Sequence, residues 1–418
     1  MAAPYFLMVF LYLSLAGLAA LDASLVNFQL LPTLPNLRWL VVHLVVLGAL
    51  TELIFGSLPW LAAAGSRRPL PQFRWQTWLL LNSGIVILLL GVIVMNFLLI
   101  TTGGTVIFLA VLQLARQIVQ LRSNQDPIQA GRPGLGPVPG VGEKLMASAS
   151  LKFYLAGLGY LLTGILVGTG LWQGWSVPLQ IAIPKEVHVH ANLWGFAALV
   201  FAGLLIDLSP SLSRQKFDRP QWTGGIFWLM TLGALGLVLG PWLDIDLLQV
   251  VGLVLHTVGS LLLLVGIFWP IRQKWRSWST GTWHVLIAYV WFFLAVVVAP
   301  LVVVQMSVGN EVAGNGGPIL IFGWILQFSY AVIPFLLRKT LQPDLPQSMG
   351  GTWLSLVTLN AGSLIYWASL FIPVSQGPIR GAAFLLWVVS LLPVLLEIVS
   401  IFKVTQGRIW SENSDLSR

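Results

Sequence analysis

The chain of 418 residues contains no cysteine. That excludes disulfides, thiolate metal centres and the mixed-cysteine copper sites of electron-transfer proteins. It also excludes covalent haem attachment, which needs Cys-x-x-Cys-His. Any haem here must be held by non-covalent ligation. Charge is scarce as well: 9% of residues are Asp, Glu, Lys or Arg, against roughly 25% in a soluble globular protein. Histidine is rarer still, with five in the sequence.

Apolar residues are abundant, at 57%, with a mean hydropathy of +0.86. A membrane span needs ~20 largely apolar residues. Twelve stretches qualify: 5–23, 38–62, 76–100, 104–121, 151–172, 186–208, 222–240, 247–270, 281–304, 316–337, 352–372 and 380–402. They predict an all-α polytopic membrane protein with one transmembrane domain over 1–418. The Gly/Pro-rich stretch 123–150 reads as a flexible cytoplasmic loop, and 404–418 as a cytoplasmic tail. The former is not a phosphate loop, because no Gly-x4-Gly-Lys-Ser/Thr is present and no strand precedes it.

The net charge of +8 does not point to nucleic acid, because of where the charge falls. Nineteen of the 22 lysines and arginines follow even-numbered spans; only Arg38, Lys185 and Arg380 follow odd-numbered ones. The positive-inside rule then places both termini in the cytoplasm. The first apolar run lacks the basic region of a secretory signal, so it is expected to stay as a helix.

Ionisable residues inside lipid are expensive and each needs a reason. Span 6 opens with Glu186-Val-His188-Val-His190-Ala-Asn-Leu-Trp-Gly195. Positions i and i+2 of a helix lie ~200° apart, so the two imidazoles point to nearly opposite sides. That suits one helix serving two haem groups, one on each flank. His43 lies at a similar depth in span 2. Neutral imidazole is a good iron ligand, and haem is commonly held by axial histidine. The alternative is that the span 6 pair are interfacial residues bonded to loop carbonyls. His256, near the middle of span 8, reads either as an interhelical hydrogen bond or as a ligand to a haem or second metal. His284 follows Trp283 and reads as an interfacial anchor. Glu52 and Glu397 fall inside spans 2 and 12 and are candidates for a proton route. Glu52 is nine residues after His43, ~900° or half a turn out of phase, so it faces away from any ligand of His43. Asp207, at the end of span 6, reads as solvated.

A repeat appears when the spans are superposed. Span 2 has His43-x4-Gly48-x7-Gly56, span 6 has His190-x4-Gly195-x7-Gly203, and span 10 has Pro318-x4-Gly323-x7-Ala331. Small residues at fixed spacing let membrane helices approach closely. The four-span period implies three four-helix arcs about a pseudo-threefold axis.

On these residues the chain resembles haem-copper oxidase subunit I, which has twelve helices in three such arcs. The run His188-Val-His190-Ala-Asn-Leu-Trp-Gly195 is similar to the His-x-His-x4-Gly run of the nitric oxide reductase and C-type oxidase branches. His43 resembles the second-helix ligand of the low-spin haem. The chain is also similar to short oxidase-like membrane proteins of the NnrS type. The resemblance implies one or two non-covalent haem b groups, with His43 and His190 on one and His188 facing the other. It also implies a possible copper or iron site, respiratory subunits or an electron donor as partners, and a bacterial inner-membrane location. The sequence departs from the family in four ways: its His-x-His pair is on the sixth span rather than the tenth, Pro318 replaces a histidine, the His-His metal pair is absent, and so is the helix that pairs a metal histidine with a Tyr or Glu one turn later. A transporter or structural subunit keeping the fold without cofactors is the alternative. Its candidate polar lining is Asn82, Asn96, Gln327 and Asn360. A bare metal carrier ranks last, because side chains ~200° apart on one helix do not chelate one ion.

Overall fold

The computed structural model describes residues 3–65, 71–123, 141–213, 221–303, 312, 314–343, 345, 347–372 and 376–416. Among them there is no strand. Twelve helices follow in chain order: α1 (Ala3–Asn27), α2 (Leu37–Ala63), α3 (Trp75–Ile93), α4 (Phe97–Ser123), α5 (Val141–Gln173) and α6 (Pro184–Leu212). They continue with α7 (Trp222–Leu243), α8 (Asp246–Phe268), α9 (Thr280–Val303), α10 (Gly317–Leu341), α11 (Trp353–Ser369) and α12 (Gln376–Leu416). Eleven are long and apolar enough to cross a membrane; the other, α11, has 17 residues. The protein is an all-α, multi-pass membrane protein.

The helix limits differ from the hydropathy reading at three places. Span 3 was expected to reach residue 100, but α3 ends at Ile93. Met95 takes a positive φ of 53°, and the Asn96 side chain accepts from the Leu99 amide at 3.1 Å, capping α4. Met95 and Asn96 thus form a tight turn inside an unbroken apolar run, where hydropathy gives no signal. The C-terminal part of the expected loop 123–150 is helical, because α5 starts at Val141; 124–140 lie outside the described residues. The expected tail continues α12 to Leu416. The basic residues Arg67, Arg68, Arg132, Arg214, Lys216, Arg219 and Arg418 also lie outside the described residues.

The sequence predicts a single domain; the chain divides into two compact units, Met1–Gly56 with Lys274–Arg418, and Ser57–Gln273. In the first, α1 packs on the π-helical part of α2 and on α12, α9 packs on α10, and α11 and α10 both pack on α12. In the second, α3 pairs with α4 and α7 with α8, while α6 packs against α5, α7 and α8. Windows of α2, α6 and α10 are 72%, 83% and 94% buried, against 39% to 44% for the other spans. These three helices are the repeat spans, and their all-round apolar sequence is what inner positions require.

Each of the three carries a seven-residue π-helical segment: Leu44–Leu50, Ala191–Ala197 and Leu320–Leu326. Each segment contains the repeat glycine, Gly48, Gly195 or Gly323. In each case an aromatic ring of the preceding span fills the place of the missing side chain. A Cβ at Gly48 would lie 2.7 Å from the Tyr12 ring, one at Gly195 would lie 2.5 Å from Tyr160 Cβ, and one at Gly323 would lie 2.7 Å from the Trp291 ring. The second glycines repeat the device, with Tyr5 against Gly56 and Tyr154 against Gly203. A π turn disturbs the i→i−4 ladder, and each segment has a carbonyl satisfied by a side chain. Thr51 Oγ1 donates to Val46 O (3.0 Å), His256 Nε2 to Trp194 O (3.0 Å) and Ser329 Oγ to Ile325 O (2.7 Å).

Candidate functional site

His43 and His190 are each the seventh residue of their helix and the last before its π segment. π segments recur at functional sites because they re-aim side chains within a continuous helix. His43 is half-buried; its ring stacks on Trp39 (centroids 3.8 Å apart, planes at 15°). Its Nδ1 lies 2.8 Å from Trp39 O.

In α6 the pair separates as the ~200° spacing requires. His188 turns to α5, with Nδ1 2.8 Å from Gly164 O. His190 turns to α7, with Nδ1 2.6 Å from Leu237 O. The His188 ring lies against Gly168, where a Cβ would come within 2.5 Å of both Cε1 and Nδ1 but 3.5 Å from Nε2. Asn192 closes the same corner, donating to His188 O at 2.8 Å. The two imidazoles are half-buried, and each Nδ1 meets a carbonyl of a neighbouring helix rather than of a loop.

A carbonyl accepts only, so Nδ1 carries the proton in all three residues and Nε2 keeps its lone pair in the neutral ring. This tautomer and this partner are those of a metal-ligating histidine, whose other nitrogen usually donates to a carbonyl or carboxylate. For His190, Nε2 makes no hydrogen bond among the described residues. No group of three or more His, Cys, Asp or Glu stands close enough to hold a bare ion among the described residues. Single imidazoles with Nδ1 fixed in this way are chemically suited to ligating a haem iron through the other nitrogen.

The remaining candidates separate from these three. His256 is fully buried and has the opposite tautomer: Nε2 bonds Trp194 O, and Nδ1 lies 3.4 Å from Ser260 Oγ. Of its two readings the geometry favours the interhelical hydrogen bond. His284 is fully buried; Nε2 meets Ser355 Oγ at 3.0 Å and the ring packs edge-on to Tyr330. Glycine at 351, with a positive φ of 89°, makes room for it. Glu397 forms an ion pair with Arg338, and its other oxygen accepts from the Gly351 amide at 3.1 Å. It ties α10, α12 and the segment before α11 together. Asp207 is not simply solvated: it accepts from the buried Tyr154 hydroxyl at 2.6 Å.

Glu52 is wholly buried in α2 and interacts electrostatically with the phenols of Tyr5 and Tyr12. By repeat alignment its counterparts are Leu199 and Gln327, both also 0% exposed. In the other two repeats the aromatic polar heads are engaged elsewhere: Tyr160 with Thr231 O, Tyr154 with Asp207, and Trp291 with Asn360.

The polar residues expected to line a transport path are mostly used locally. Asn82 bonds Trp78 O, Asn96 caps α4, and Asn360 accepts from Trp291 Nε1 at 2.7 Å. Only Gln327 is buried with neither amide atom bonded. Sequence reasoning missed Trp39, Asn192, Tyr160 and the carbonyls of Gly164 and Leu237. A visible signal for Tyr160 was an aromatic six or seven residues after another in the spans before α2 and α6.

Set against family models, curated proteins and solved structures, the chain matches none. The site and fold define a multi-pass, all-α membrane protein with a histidine leading into the π segment of two of its inner spans. No family follows from the comparisons.

Proposed function

We propose that this chain is a b-type haem-binding membrane protein, related in architecture to haem-copper oxidase subunit I. It carries electrons, or binds and reduces a small gas such as nitric oxide or oxygen. It resides in the bacterial inner membrane with both termini in the cytoplasm, and draws electrons from a respiratory partner. The observation that carries the reading is the shared state of His43, His188 and His190, each giving its Nδ1 proton to a main-chain carbonyl.

A bound haem b would supply a one-electron iron couple and a metal able to bind a diatomic gas. His43, His188 and His190 would each offer Nε2 to a haem iron. The carbonyls of Trp39, Gly164 and Leu237 fix tautomer and ring direction and raise ligand basicity. Glu52 is the residue assigned to proton movement, since a carboxylate inside a span marks such a route by default. Glu397 and His256 have scaffold partners and are left out of the chemistry.

A pyridine haemochrome assay with iron quantification on the purified chain tests this. One or two haem b per chain is expected. Purified protein without haem, from cells able to make it, overturns the reading and leaves the cofactor-free alternative.

A further inference from the structure

A second polar feature lies where α3 begins and α4 ends, far in sequence from every histidine. Two adjoining recesses, of about 510 and 350 Å³, share Arg74 and Gln120. Gln72 and Gln117 line the larger, and Gln113 and Arg116 the smaller. Neither α3 nor α4 contains an acidic residue. Among the described residues, neither the Arg74 nor the Arg116 guanidinium has a hydrogen bond or ion pair. Their neighbours are uncharged carboxamides, one of which, Gln117, is buried with the recess wall.

Two guanidinium groups in one recess with no counter-ion among the described residues call for an anion. The planar fork of arginine matches phosphate oxygens in a bidentate way, and carboxamide N–H groups add donors without adding charge. The level in the membrane is also marked. Trp75 is 60% exposed and meets Trp78 edge-on (centroids 5.7 Å apart) beside Arg74. Exposed tryptophan is characteristic of the headgroup region, and basic recesses between membrane helices take anionic headgroups.

We propose that the recess between the start of α3 and the end of α4 is a phosphate-binding site, filled in the membrane by the headgroup of an anionic phospholipid. The site is independent of the haem reading.

The test uses the full-length purified protein and native mass spectrometry with phosphatidylglycerol and phosphatidylcholine. Wild-type protein should retain phosphatidylglycerol in preference. Each arginine near an anionic surface contributes enough for roughly a five-fold change, so R74Q/R116Q should weaken retention by about 25-fold. The control R272Q/R276Q removes the same charge from two arginines that lie over Trp269 and Trp275, and should leave retention unchanged. R74K/R116K keeps the charge and should keep the preference at reduced strength, which guards against misfolding of the glutamine variant. Displacement of the lipid by inorganic phosphate, lost in R74Q/R116Q, supports the phosphate site and assigns it a soluble source as well. Equal loss in R272Q/R276Q, or no preference between the two lipids in the wild type, overturns the proposal.

Discussion

The ring of Tyr160 occupies the space that a side chain at Gly195 would need: an ideal Cβ there lies 2.5 Å from Tyr160 Cβ and 2.7 Å from its Cδ1. The phenol then reaches Thr231 O at 2.7 Å, so one glycine lets α5 close on α6 and hold α7. The same relation joins Gly48 with Tyr12 and Gly323 with Trp291, and it gives the internal repeat a physical content beyond spacing.

Substituting Gly195→Ala should therefore destabilise the protein by about 1–3 kcal/mol, the usual cost of forcing extra volume into a packed contact. Gly159→Ala, at an exposed position of α5 with nothing within 4 Å of its Cβ, should be neutral or stabilising by up to ~1 kcal/mol through helix propensity. Thermal or denaturant unfolding in detergent, run on the pair, reads the difference. Equal behaviour of the two variants would contradict the clasp.

The Arg338–Glu397 ion pair has side chains 20% and 19% exposed. Glu397→Ala leaves the guanidinium largely buried without its partner and frees the Gly351 amide. A loss of about 2–3 kcal/mol is expected, below the ~3–5 kcal/mol of a fully buried pair. In the double variant with Arg338→Ala the loss should be smaller than the sum of the two single losses. Strict additivity in this cycle would show that the pair is not a structural tie.

At Glu52 the repeat itself supplies the test residues. Its counterparts are Leu199 and Gln327, so Glu52→Leu and Glu52→Gln should both fold, with stability within about 1 kcal/mol of wild type. The carboxylate would then be dispensable for the scaffold, consistent with a role in proton movement. Unfolding of both variants would instead make it part of the packing.

His256→Ala should leave Trp194 O without its donor and cost about 1–3 kcal/mol, while haem content stays at the wild-type level. Loss of haem in a variant that still folds would return His256 to the ligand set.

Much of the fold was legible in the sequence because long apolar runs have one solution in lipid, and the limits of α1, α6, α7 and α9 fall within a few residues of the hydropathy reading. The break at Met95 and Asn96 was not, because a two-residue turn inside an apolar run leaves hydropathy unchanged. The glycine spacing pointed to the repeat, but not to the π segments within it. A π turn shifts the helical phase, so counting ~100° per residue does not carry from His43 to Glu52. The divergence of His188 and His190 was readable, since no π residue intervenes between them. Burial of His284 was not: Ser355, Tyr330 and Gly351 reach it from other parts of the chain, and its neighbour Trp283 suggested an interface instead.

The account rests on Nε2 of His190 being held ready for iron while Nδ1 is fixed by Leu237 O. The most direct measurement is a reduced-minus-oxidised absorption spectrum of the purified chain beside its His43→Ala and His190→Ala variants. The account predicts b-type haem bands in the wild type, with the low-spin signal lost in both variants. A wild-type spectrum without b-haem bands, or full haem content in both variants, would contradict it.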